Sequence, residues 1–135
     1  MSAQPEPAVL RHPFEYAIVR VMPRVERGEA FNAGIVVMCR PLRFLGARVH
    51  LDDAVLAALA PDCDPDVVRD HLAAVEAVAA GEPGAGPIAA LSQPERFHWL
   101  VAPSSTIIQA SPVHTGLTAD AAATLAHLVR TLVHR

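Results

Sequence analysis

A chain of 135 residues is the size of one domain and is long enough to bury a core without a metal or disulfide framework. With 52% apolar and 19% charged residues it is globular rather than disordered. A net charge of −3, with every basic residue an Arg, provides no basic footprint for nucleic acid.

Residues 1–13 (MSAQPEPAVLRHP) lack the apolar stretch of a signal peptide, and a disordered N-terminal tail is expected there, followed by a single domain over 14–135. The longest unbroken apolar run, Ile35–Cys39, is too short to span a bilayer. Cys39 and Cys63 form no CxxC pair and are read as reduced thiols of a cytoplasmic protein.

Phe14–Met22 (FEYAIVRVM) is rich in β-branched and aromatic residues and stops at Pro23, which marks a strand. A charged turn with Gly28 leads into the strongest strand pattern, Ala30–Cys39 (AFNAGIVVMC). A turn on Pro41 leads to a third strand, Phe44–Leu51. Short connections make the three an antiparallel meander. A short helix follows, capped by Asp52 or Asp53 and ended by Pro61. Asp64–Pro65 starts a longer helix, with Val68, Leu72, Val75 and Ala79 at helical spacing up to Gly81. After a Gly/Pro-rich connection, Phe97–Val101 and Thr106–Ala110 read as a second pair of strands. Thr118 is expected to cap a last helix whose buried stripe is Ala121, Leu125, Leu128 and Leu132. The order implies an α+β two-layer sandwich with the helices on one face of the sheet.

Pairing Arg20 with Asn32, and Asn32 with His50, places only apolar side chains at the odd-numbered positions of the meander, from Ala17 to Leu51. That face is assigned to the helices. The even-numbered face divides. Tyr16, Ile18, Val36, Met38 and Phe44 form an apolar end, to be covered by the second strand pair, by a partner chain, or by both. Arg20, Asn32, Arg48 and His50 form a polar end beside Gly34, and His98, Gln109 and His114 are placed to line its edge.

These seven residues are the candidate pocket. Arg20 and Arg48 are suited to a carboxylate or phosphate, or to pairing with neighbouring acids. Asn32 is unusual in mid-strand and serves either a backbone group or a ligand. No metal is expected from the seven histidines, whose spacing gives no ligand set. No nucleophile elbow, Walker loop or dinucleotide fingerprint is present in the sequence, so no catalytic residue is assigned and no cofactor is expected.

The segments YAIVRVMPRVERGEAFNAGIVV, ERFHWL and STIIQASPVHTGL, in this order, resemble the bacterial family of domain of unknown function 3037, particularly its actinobacterial branch. The resemblance covers about residues 14–133, with Ala33 a mild departure from the Val common at that position. It implies a small cytosolic protein and a protein partner, since members are often encoded beside a kinase-like protein. It supplies no catalytic residues.

Two readings follow. The first is a non-catalytic accessory or interaction module that works with a kinase-like partner or as a homodimer. The alternative is a small enzyme or binding protein acting on an anionic metabolite, held by Arg20 and Arg48 with His50, His98 or His114 as acid or base. Neither membrane nor nucleic acid is expected as a partner.

Overall fold

The protein is described by a computed structural model over residues 9–104 and 106–135. Five strands, β1 (His12–Val21), β2 (Phe31–Cys39), β3 (Phe44–Val49), β4 (Ile108–Ala110) and β5 (His114–Thr118), form one antiparallel sheet. The order is β3-β2-β1-β4, with β5 also paired to β1. Four helices, α1 (Asp53–Leu59), α2 (Pro65–Ala80), α3 (Gln93–Val101) and α4 (Ala121–Leu132), complete an α+β fold. The meander is present as the sequence pattern implies, and two further strands join it, but these are β4 and β5, each paired to β1, and Phe97–Val101 is not one of them. Residues 12 and 13, expected in the N-terminal tail, are the first residues of β1, with His12 opposite Thr118.

The helices occupy both faces of the sheet, not one. Val19, Val21, Val36, Met38 and Leu45 pack with Leu56, Leu72 and Phe97 of α1, α2 and α3. Phe14, Ile35, Val37 and Cys39 pack with Leu125 and Val129 of α4 on the opposite side. Alternation cannot reveal this, because residues 35–39 are apolar at every position and are all buried. Of the residues expected at the apolar end of the second face, Tyr16, Ile18 and Phe44 pack on the α4 side, while Val36 and Met38 turn to the side of α1, α2 and α3.

The register differs from the expected one for the same reason. Arg20 opposes Asn32, but Val19 opposes Gly34 and Ile18 opposes Ile35, so Ala33 is a bulge residue. Beyond the bulge each pairing shifts by one, and Gly34 meets Val49 where Arg48 was expected. A one-residue slip normally turns apolar side chains into water. Here it turns them toward α4. Gly34 is required by close approach: a Cβ there would lie 2.8 Å from the Arg48 carbonyl oxygen and 2.9 Å from Val49 Cγ1.

Phe97–Val101 is helical rather than extended. Ser92 caps α3, its Oγ accepting from the Glu95 N–H at 3.4 Å and donating to Glu95 Oε1 at 2.8 Å, with Pro94 in the first turn. Within that helix Phe97, Leu100 and Val101 pack inward while His98 and Trp99 face out. The cap of α4 is Asp120, which accepts from Ala123 N–H; Thr118 instead accepts from Asp120 N–H and bonds Thr124. No described helix is long and apolar enough to cross a membrane. Both cysteines are free thiols.

Candidate functional site

The structure does not gather the seven pocket residues into one site: they are spread along the sheet and its margins, with His98 on a helix. Arg20, Asn32 and Gln109 are brought together as one row across β2, β1 and β4. Asn32 sends its amide to the last turn of α4, Nδ2 donating to the Leu132 carbonyl at 2.9 Å. Gln109 Nε2 donates to the Thr106 carbonyl at 3.0 Å. Arg20 Nη2 donates to the Ala110 carbonyl at 3.0 Å, while its Nε is enclosed with no acceptor. His50 lies against His134, ring centroids 4.6 Å apart, beside the end of α4. Arg48 is exposed on β3 opposite Ile35. His114 packs on Tyr16, centroids 5.2 Å apart, farther down β1. His98 is on α3, over the other face, and does not join the row.

A shallow polar depression beside β3 holds His50, Asp53, Arg69 and Glu76. Arg69 is committed to Asp53 and to Asp66. Desolvation holds the Glu76 carboxyl above the usual glutamate range, against the opposing pull of the Arg48 guanidinium.

A more enclosed and more apolar concavity has none of the seven in its lining. Between α2, α3 and β4 lies a cavity of about 400 Å³, walled by Val19, Val75, Leu100, Ile108 and Ala110, with Trp99 at its side. That is the size of a small-ligand or single-anchor pocket. Trp99, the single tryptophan of the chain, remains 53% exposed there. The polar groups at the rim are mostly spent. His71 Nδ1 donates to the Val67 carbonyl at 2.8 Å, since a carbonyl only accepts. Thr106 Oγ1 donates to the Ile108 carbonyl at 2.9 Å, so Ser104 must donate to Thr106. Both hydroxyl hydrogens are used within the loop, and neither is aimed at an imidazole. The lining is predominantly apolar.

The family model described as "Protein of unknown function (DUF3037)" matches residues 16–133. The chain belongs to this family. No curated protein and no solved structure matches the chain. The match runs from within β1 through α4 and includes every wall of the Trp99 cavity. Sequence reasoning missed this cavity because it needs α3 to be a helix. The signal was in Ser92-Gln-Pro-Glu95, a capping box that outweighs the strand propensity of Phe97–Val101.

Proposed function

We propose that the chain is a non-catalytic interaction module whose cavity beside Trp99 receives an apolar anchor residue from a protein partner. One observation carries the reading: a large indole stands half-exposed at an apolar cavity of about 400 Å³ whose nearby hydroxyls are already satisfied. Tryptophan buries a large apolar area on association and is enriched among residues that dominate binding energy. Exposed singly it would carry no argument; beside an apolar recess it does.

The partner we favour is the kinase-like protein that the family resemblance implies, with a second copy of the chain as the other possibility. The test is co-purification with that kinase-like protein, alongside light scattering of the chain alone. Ala74 is exposed on α2 and lines the cavity, so Ala74→Trp fills the recess without touching the core. The variant is expected to lose the partner while melting as the native chain does. Equal retention by both proteins would end the cavity reading.

A further inference from the structure

Resting on the interaction reading above, we infer that the anchor is the apolar C-terminal residue of the partner, with its carboxylate held at the outer edge of β4. Three features of this chain converge on that chemistry.

The first is the direction of the β4 backbone. Met22 N–H donates to the Ile107 carbonyl at 2.7 Å and Ser111 N–H to the Ile18 carbonyl at 2.8 Å. With Arg20 opposite Gln109, alternation turns the N–H and C=O of Gln109 toward β1. The N–H and C=O groups of Ile108 and Ala110 therefore point away from the sheet. The side chains of both residues wall the cavity, so these groups border it.

The second is that this edge has been made one-sided. The Ile108 carbonyl accepts from Thr106 Oγ1 and the Ala110 carbonyl from Arg20 Nη2. Among the described residues the two outward N–H groups have no acceptor. A strand adding to an edge uses both donors and acceptors. An incoming group that only accepts finds what it needs here, and a carboxylate is that group.

The third is charge. The Arg20 guanidinium reaches the outward Ala110 carbonyl from the side of the sheet opposite Val19 and Val21, and among the described residues no carboxylate pairs with it. No acidic side chain lines the cavity. A guanidinium that reaches this edge from one face, beside two backbone N–H groups, is complementary to an anion, while the recess on the α2–α3 side of the same edge is complementary to an aliphatic or aromatic side chain. A polypeptide C-terminus ending in such a residue carries both, spaced by one Cα.

The experiment titrates the full chain with acetyl-Ala-Ala-Leu as the free acid and as its C-terminal amide, following the fluorescence of Trp99, the single tryptophan. A charge-assisted pair of contacts predicts about tenfold tighter binding of the acid. Arg20→Met should bring the acid-to-amide ratio close to one while amide binding is kept, and Arg20→Lys should retain part of the preference. The ratio is insensitive to a merely structural loss at Arg20. If Arg20→Met fails to fold, the ratio in the native chain still decides. Equal binding of acid and amide overturns the inference and leaves the anchor reading standing, since the recess is then used without the edge. Binding of neither peptide overturns it. Acetyl-leucine binding as tightly as the tripeptide makes the site one for a free acid, and overturns the protein terminus as its occupant.

Discussion

Removal of the Asn32 amide tests how α4 is joined to the sheet. Asn32 is half-buried in mid-strand, and its Nδ2 donates to the carbonyl of Leu132, the last residue of α4, across a sequence separation of 100. The last carbonyls of a helix have no partner within it, and Asn32 supplies one. Asn32→Ala deletes that donor and leaves a partly buried carbonyl. The cost of a lost bond plus an unpaired acceptor is about 1–3 kcal/mol, and partial access of water near the chain end puts this one at about 1–2 kcal/mol. For a domain of this length that is a fall of roughly 3–10 °C in melting temperature. Asn32→Asp should be worse than alanine by about 0.3–1 kcal/mol, because a carboxylate cannot donate and sits at the negative end of the helix dipole. Thermal melts of the three proteins at neutral pH give the order, and hydrogen exchange in the last turn of α4 should quicken in the same order. Native stability in Asn32→Ala, or an aspartate variant as stable as the native chain, would refute the tie.

Gly34→Ala should cost about 1–3 kcal/mol, since the added methyl meets the Arg48 backbone carbonyl at 2.8 Å and the strand must shift to admit it; a native denaturation midpoint would show that the strands part freely. Glu76→Gln should raise the melting temperature at neutral pH and leave it unchanged in acid. Its carboxyl is held up by desolvation, so the folded state favours the protonated form. The associated stability is present below the ordinary glutamate range and is lost as pH rises through the raised value. A gain at low pH, or none at pH 7, would contradict this.

The elements that were legible in the sequence carry their own punctuation. α2 starts at Asp64–Pro65 and stops at Gly81, whose φ of 66° needs no Cβ, and α1 is capped by Asp52. The register was not legible past Ala33. Residues 35–39 satisfy either pairing when both faces of the sheet are covered, so the apolar pattern has no power to choose. His114–Thr118 reads as a loop because of Gly116, yet that glycine is a strand residue over which the Phe14 ring lies, 2.7 Å from where a Cβ would stand. The pairing of Arg20 with Asn32 was legible, since hairpin neighbours follow from local pairing, whereas Gln109 was expected only at the edge of that face and its place opposite Arg20 comes from the long-range β1–β4 pairing. The Trp99 cavity was not, because its walls come from α2, α3 and β4 and meet only in the tertiary structure.

β1 lies inside the sheet, with β2 on one side and β4 and β5 on the other. Its first residue, His12, pairs with Thr118, so the earliest strand to be made waits for one of the last segments. At about 5–20 residues per second, roughly 5–20 s separate the synthesis of the two. During that interval β1–β3 can form as a meander, but Phe14, Tyr16 and Ile18 have no α4 to cover them and one side of β1 has no neighbour. A ribosome-bound chain that has reached only Ser104 therefore presents an open strand above an uncovered apolar face. Nascent-chain chaperones that hold extended apolar segments have their substrate there, and a C-terminally truncated product would aggregate through the same strand.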